Sequence, residues 1–453
     1  MYKDIDKLYT KGKTAENWAS EVLEIYFGTQ KPSVPINPFK IMRDLGIVYQ
    51  FIDSKELEGI YIVPDDENDI PLIGINYNRP ITRQRFTAAH ELCHHIKDKN
   101  SEACAISCIN GSITERYAEN FAAALLMPEN MLLEYAQQYM VDGYITFDDA
   151  LLISEHFGVS FNACVRRLAY KLHIIRFKDN KQLTKEIKKY KPDHKKSLQN
   201  IDRENIELLK QVVDSYCFLF NKEDNFFWYR FKNDFVYNEN RIEGVNLDKE
   251  EVAEIITDLR MNKQDSEYCK SEYDEIIQVA GHSEMYEYVS STKDKITAYK
   301  LLALNKTLYM YAPYPEESGK TRQHNALVLG ANFETYDFKE IPDALWKLDM
   351  VVQKVIADID QLTVSEYIAF VAMIHHKITQ IHPFRDGNGR CSRAFLNWML
   401  RLKKLPPIYI KSERKDAYYE ALKLADSQGE YKEIIRVIIR ELFNTIMYLN
   451  KKF

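Results

Sequence analysis

Apolar positions along the chain fall into two dense blocks separated by a polar interval. The first block runs to about Ile175, and the second begins at Ile206 and keeps helical spacing almost to the end. Between them, Phe177 to Asn200 holds eight lysines against three acids, with Pro192 inside the run. Such runs mark connectors or solvated helices more often than nucleic-acid contacts. The pattern therefore predicts an N-terminal unit of about 175 residues, a lysine-rich linker and a larger, mainly helical C-terminal unit. No fixed-period repeat and no low-complexity tract interrupts it.

Within the first block, Phe86, Ala89, Cys93 and Ile96 recur at spacings of three and four, which predicts a helix over Thr82 to Lys97 with Thr82 as its cap. On it lies His90-Glu91-Leu92-Cys93-His94. Imidazoles four apart stand one turn above each other and can grip a Zn²⁺, with Glu91 rotated beside them as a candidate general base. A third ligand is needed. Thr114 to Met127 reads as a second helix with Ala118, Phe121, Ala122, Leu125 and Leu126 as its apolar stripe. Glu115 lies on the side of that stripe, where a carboxylate is costly unless paired or metal-bound. Glu119 competes for the role, and Glu115 has the alternative of a first-turn acid answering the helix dipole. Ala150 to Ile175 has helix-turn-helix spacing around Gly158-Val159-Ser160, with Arg166, Arg167 and Lys171 on its second helix. Two packed helices with solvated cations account for that segment better than DNA contact does.

In the second block, Ile368, Val371, Ile374, Ile378 and Ile381 lead helically into His382-Pro383-Phe384-Arg385-Asp386-Gly387-Asn388-Gly389-Arg390-Cys391-Ser392-Arg393. Gly387, Asn388 and Gly389 can adopt positive φ and turn successive N–H groups inward as an anion nest at a helix start. Arg390 and Arg393 can fork onto further phosphate oxygens. Asp386 is a hard oxygen ligand suited to Mg²⁺. His382 has the ordinary pKa of a base for an attacking hydroxyl. Phe384 is expected to anchor the loop inward, with His375 and His376 structural.

Composition narrows the class without naming the chemistry. The 453 residues allow two to four domains. Apolar residues at 45%, and Gly plus Pro at 29 in all, exclude collagen-like and disordered chains. A net charge of −6 excludes a basic nucleic-acid coat, and neither a membrane-spanning apolar run nor a secretory leader is visible, which points to the cytoplasm. Seven scattered cysteines read as free thiols. Cys104 and Cys108, four apart, could seat a metal but lack a second pair.

The first block resembles the ImmA/IrrE-type metallopeptidases. The likeness runs through Pro35 and Leu45-Gly46-Ile47, the approach Arg83-Gln84-Arg85-Phe86-Thr87-Ala88-Ala89-His90-Glu91, and Glu115-Arg116-Tyr117-Ala118 leading to Phe121–Pro128. It implies an α+β zincin-like fold with a helix-turn-helix-like end, zinc on His90, His94 and Glu115, and Glu91 as base. The chain departs from the family at Cys93, where Gly is usual, and at Glu119-Asn120. His95 matches no ligand and is read as a surface or supporting residue.

The second block is similar to the Fic family, whose pattern His-x-Phe-x-(Asp/Glu)-Gly-Asn-Gly-Arg-x-x-Arg it follows at all eight specified positions. The likeness implies an all-helical core with a small β-hairpin flap at Asn325–Phe333. It also implies transfer of AMP from ATP to a Tyr, Thr or Ser hydroxyl of a target protein. In those terms His382 is the base, Asp386 holds Mg²⁺, Gly387, Asn388, Gly389 and Arg390 take the α- and β-phosphates, and Arg393 takes the γ-phosphate. Gly387, where phosphorylating relatives carry Lys, favours AMP transfer.

Tyr237–Gly244, an ordinary loop by itself, looks like the family's inhibitory motif (Ser/Thr)-x-x-x-Glu-(Gly/Asn). Glu243 would then pair with Arg393 and hold the enzyme off by about 3–5 kcal/mol. Glu239 departs from the motif at its hydroxyl position. The domains expected are 1–176, metallopeptidase-like; 177–203, linker; 204–295, helical and carrying the inhibitory motif; and 296–453, the Fic core. Three functions follow: a bacterial, cytoplasmic, auto-inhibited AMPylase using ATP and Mg²⁺ with a zinc metallopeptidase-like regulator; a peptidase cleaving a repressor or antitoxin, with the Fic part as sensor or de-AMPylase; and a toxin–antitoxin-type binding module.

Overall fold

The computed structural model describes residues 5–64, 70–98, 113–202, 204–216, 225–262, 265–266, 268, 274–312, 318–327 and 335–450. The chain divides into two compact units, Met1–Leu219 with Asn450–Phe453, and Phe220–Leu449. Cys104, Cys108, Cys217, Cys269 and most of the expected flap, including Gly330, lie outside the described residues. Cys93, Cys164 and Cys391 are free thiols.

The first unit opens with α1 (Ala15–Phe27), α2 (Pro38–Asp44) and the strands β1 (Val48–Ile52), β2 (Gly59–Ile62) and β3 (Leu72–Asn76). α3 (Ile81–Cys93) runs on through a π-helical turn, His94–Asp98. α4 (Ile113–Leu126), α5 (Glu129–Ala136), α6 (Phe147–Phe157), α7 (Phe161–Tyr170), α8 (Asn180–Lys189), α9 (Pro192–Leu198) and α10 (Ile206–Ser215) complete it. The sheet order is β1-β3-β2, with β3 parallel to β1 and antiparallel to β2. α3 packs on β2 and β3 and lies against α2 and α4, while α1 covers α4. Trp18, Phe39, Ile73, Ile75, Leu92, Phe121 and Leu125 are fully buried there, the non-directional apolar burial that holds such layers together. α3 starts one residue early: Pro80 occupies the cap position and its carbonyl takes the first bonds, from the N–H of Arg83 and Gln84, so Thr82 caps nothing.

The lysine-rich segment is not a connector. α8 buries Leu183 and Ile187, four apart, and Lys196 of α9 pairs with Glu155 of α6 at 2.6 Å. The lysines of α8 form its solvated face, as snorkelling side chains do. α10, expected in the second unit, belongs to the first. Its Gln211 accepts from Arg85 Nε at 2.9 Å and donates to the Pro35 carbonyl at 2.6 Å. The division falls at Leu219/Phe220 instead. The helix-turn-helix spacing is real in α6 and α7, but Arg167 points inward and donates to the Met127 carbonyl at 2.8 Å. Arg166 bonds Asn162 at 2.9 Å and Lys171, itself half exposed, pairs with Glu16.

The second unit comprises α11 (Asn225–Ile242), α12 (Lys249–Asn262), α13 (Asp274–Ser291), α14 (Lys300–Leu308), α15 (Ile341–Ala357), α16 (Val364–Ile381), α17 (Asn388–Leu402), α18 (Lys415–Gln428) and α19 (Lys432–Asn450). The molecule is thus mainly α, with its described strands confined to the first unit. α17 is central, touching α13, α14 and α16, with twelve of its fifteen residues buried. Gly281 lets α13 meet α14 backbone to backbone; a Cβ there would stand 1.8 Å from the Leu308 carbonyl oxygen. No described helix is long and apolar enough to cross a membrane.

Candidate metal centre and candidate phosphate loop

In the first unit, α3 and its π-helical turn bring the Nε2 atoms of His90 and His94 to 3.2 Å. Glu115, in the first turn of α4, sets Oε2 3.1 Å from His90 Nε2 and Oε1 3.4 Å from His94 Nε2. Ligands about 2.0–2.1 Å from a tetrahedral zinc stand roughly 3.3 Å apart, so these separations fit that ion. Among the described residues these three are the group whose ligand atoms all lie within 4.8 Å of one another. Glu119 is exposed and takes no part.

Glu91 is buried against β2, where Gly59 makes room for it: a Cβ there would lie 2.8 Å from Glu91 Oε1. Burial pushes its pKa up, against the pull of both histidines. That is the environment of a carboxyl poised to take up and return a proton. Asp98 accepts from His94 Nδ1 at 3.0 Å, favouring the tautomer that leaves Nε2 free for a cation. His95 is buried and bonds the Tyr61 hydroxyl at 3.0 Å, so it supports the strand and is not a surface residue. Cys93 is fully buried, and burial raises its thiol pKa.

In the second unit, the loop between α16 and α17 carries the other cluster. His382 caps α16 in the left-handed region (φ 49°), and Gly387 caps α17 with φ 78°. Asn388 and Gly389 are already helical, so the expected nest of three positive-φ residues is one such residue followed by a helix N-terminus. The open N–H groups of that first turn remain an anion site. The Asn388 side chain instead braces the loop, accepting from Phe384 N–H and donating to Phe384 O, each at 2.8 Å. Phe384 is buried beneath it. His375 bonds Tyr418 at 2.9 Å and His376 bonds Asp426 at 2.6 Å, both inside the fold.

Burial and then the Arg322 cation hold the His382 pKa below its ordinary value, keeping the imidazole neutral. Arg390 is buried and bonds Gln278 at 2.8 Å and the Tyr309 hydroxyl at 3.1 Å. Tyr309 donates to Asp386, whose carboxylate is 71% exposed at the loop mouth and free to meet a solvated cation.

Arg393 is fully enclosed by two acids. Glu243 Oε1 accepts from Nη2 at 2.6 Å, and Glu239 accepts from Nε. Burial would weaken the guanidinium charge; Glu239 and then Glu243 more than restore it. Glu243 also stands over the loop glycine, since a Cβ on Gly389 would lie 2.9 Å from Glu243 Oε1. The turn bearing Glu243 closes α11: Gly244 (φ 95°) donates to Arg241 O and Val245 to Asn240 O, at 3.2 and 3.0 Å. This is the paired-bond closure that glycine makes possible.

Several of these residues carry no local sequence signal. Arg322 is buried and reaches four carbonyls: His382 and His324 at 2.8 Å, Tyr336, and Ile381 at 3.4 Å. It ties the His382 turn to both ends of the 324–336 segment. Gln278 and Tyr309 likewise meet the loop from distant helices. Asp98 had a signal, lying four residues beyond His94.

The IrrE N-terminal-like domain family matches residues 42–169, and the Fic/DOC family matches residues 295–400. Among curated proteins, the protein adenylyltransferase Fic of Drosophila erecta is 29% identical over 174 residues, covering 36% of this chain and 32% of that protein. The protein of the same name from Culex quinquefasciatus is 28% identical over 171 residues, with the same coverage. The chain thus spans about a third of the length of the curated relatives it matches. A Fic-domain signaling protein from Bacteroides thetaiotaomicron covers 55% of this chain, and 96% of its own, at 22% identity and TM-score 0.44. A Fic family protein from Desulfovibrio desulfuricans covers 55% and 74% at 20% identity and TM-score 0.43, so both structural likenesses are loose. The chain carries an IrrE N-terminal-like domain over residues 42–169 and a Fic/DOC family domain over residues 295–400.

Proposed function

We propose that the second unit is a protein AMPylase held off by its own Glu243. The observation that carries this reading is the Glu243 carboxylate bonded to Arg393 and pressed on Gly389, an anion of the chain standing at the anion site of a loop that begins with a neutral histidine. In the reaction, the target hydroxyl attacks the α-phosphorus of ATP. The bond from that phosphorus to the bridging oxygen breaks, pyrophosphate leaves, and His382 takes the hydroxyl proton. The first-turn N–H groups of α17 and Arg390 hold the α- and β-phosphates, and Arg393 meets the γ-phosphate once Glu243 has withdrawn. Asp386 would hold Mg²⁺, which supplies charge neutralisation across the phosphates.

The test is incubation of the full chain, with and without cell lysate, with ATP labelled at the α-phosphate. Glu243→Gly should label itself and targets strongly and His382→Ala not at all; equal labelling by Glu243→Gly and the unaltered chain removes the brake, and no labelling in any form removes the AMPylase reading.

A second activity is favoured by the His90–His94–Glu115 cluster with Glu91 beside it. The fit of the donor separations supports zinc there, which would supply Lewis acidity, with Glu91 holding the proton. On this reading the first unit is a metallopeptidase acting on a repressor or antitoxin. Cleavage of such a protein that phenanthroline blocks supports it, and the same cleavage by Glu91→Gln refutes it.

A further inference from the structure

The two glutamates on Arg393 are not equivalent. Glu243 stands in the closing turn of α11 with its side chain 23% exposed, so it can leave when that turn opens. Glu239 lies in the body of the helix with its side chain 1% exposed. Opening of the closing turn does not reach it, four residues back in the same buried stretch of helix as Phe235 and Val236. Where the inhibitory motif has a hydroxyl, this chain has a carboxylate that accepts from Arg393 Nε.

We propose that Glu239 is a positioning residue for nucleotide recognition, which keeps Arg393 oriented and charge-compensated after Glu243 withdraws, so that the terminal phosphate of the nucleotide adds little to binding.

The charges paired with Arg390 and Arg393 show why. Arg390 and Arg393 face Asp386, Glu239 and Glu243, a net of −1 with the brake closed. With Glu243 withdrawn the sum is zero, and with a hydroxyl at position 239 it would be +1. A guanidinium already paired through Nε offers a phosphate its Nη edge as the end of a dipole rather than as a bare cation, and in a buried setting that difference is large. Burial pushes the Glu239 pKa up while Arg393 opposes it. Beside the pair is a void of about 10 Å³ lined by His375 and Tyr418, space for at most one water. The pair is therefore screened by little except its own partners. The inference rests on the reading that this pocket takes ATP and adds a specificity to it: weak discrimination between nucleoside triphosphate and diphosphate.

The experiment measures ATP and ADP affinities, with Mg²⁺, by calorimetry on the full chain carrying Glu243→Gly, alone and combined with Glu239→Ser or Glu239→Gln. The single variant should prefer ATP by less than about threefold, and either double variant by about tenfold or more. A ratio unchanged in the doubles, or already tenfold in the single variant, overturns the proposal. Glu239→Gln keeps the shape and an acceptor if Glu239→Ser fails to fold. A second measurement needs no nucleotide. In chain labelled with ¹⁵N at arginine Nε, the Arg393 N–H, assigned through Arg393→Lys, should exchange slowly in Glu243→Gly and lose its protection in Glu239→Ser; loss already in Glu243→Gly overturns the proposal. Failure of every form to bind either nucleotide sinks the AMPylase reading, and the Arg393 signal then still decides the role of Glu239.

Discussion

Replacing Arg322 by Gln tests whether the His382 turn is held or merely present. Arg322 donates to the carbonyls of His382, His324, Tyr336 and Ile381, and its own N–H bonds Pro383 O at 2.8 Å. Glutamine brings two donors on a shorter stem, so at least two charge-assisted bonds are lost. At roughly 1.5–3 kcal/mol each, reduced where water reaches the freed carbonyls, the local cost is about 2–4 kcal/mol. That is enough to let His382 drift, and a displacement of about 1 Å costs ~10²-fold in kcat. Arg322 touches no atom expected to bind phosphate, so KM for ATP should change by less than about threefold.

The same substitution removes a cation that holds the His382 pKa down. A base works only when neutral, and activity is lost as pH falls through its pKa. Raising that pKa moves the acid limb of the rate profile to higher pH. The assay is AMP incorporation against pH in the Glu243→Gly background, with Arg322→Lys as the variant that keeps the charge but loses the fork. A fall in kcat with an unmoved acid limb leaves Arg322 as packing only. A raised KM with kcat intact makes it a nucleotide contact and refutes the argument.

Glu243→Gly removes one charge-assisted, partly exposed bond of about 1.5–3 kcal/mol, so initial labelling rates should rise about 10- to 150-fold, read by incorporation of α-labelled AMP. This is less than a buried pair would give, because the Glu243 side chain is 23% exposed. Asp98→Asn should weaken zinc binding about 10- to 100-fold through loss of the His94 Nδ1 contact, measured by competition with a chromogenic chelator; unchanged affinity refutes the orienting role. Gly281→Ala drives a Cβ onto the Leu308 carbonyl and should cost the second unit upwards of about 3 kcal/mol, or roughly 6–12 °C in Tm by calorimetry.

What could be read from the sequence was local. The His90/His94 spacing and the loop from His382 to Arg393 needed only helical periodicity and residue chemistry, and the apolar stripe of α4 pointed to Glu115 before Glu119. Contacts closed by chain topology were invisible: Arg322 meets His382 across sixty residues, and Arg390 meets Gln278 across a hundred and twelve. The helical conformation of Asn388 is not legible in the loop's spacing, because its side chain finds its partner in Phe384. The lysine-rich segment misled for another reason: charge density outweighed Leu183 and Ile187, whose four-residue spacing was the better guide to α8. Glu239 was visible as a departure, but only the folded chain brings it against Arg393.

The turn that closes α11 at Gly244 has a kinetic consequence. Helix ends open and close on the order of 0.1–1 μs, whereas phosphoryl-type transfers turn over about 1–100 times per second. On the auto-inhibited reading proposed above, Glu243 would sample its bound and released positions many thousands of times between catalytic events, and the latch would set a population rather than a delay. Because Glu243 and Arg393 pair within one polypeptide, that population would not depend on how much protein is present. On that reading dilution of the monomer would leave the resting fraction unchanged, and a ligand that distinguishes the open turn from the closed one would shift it.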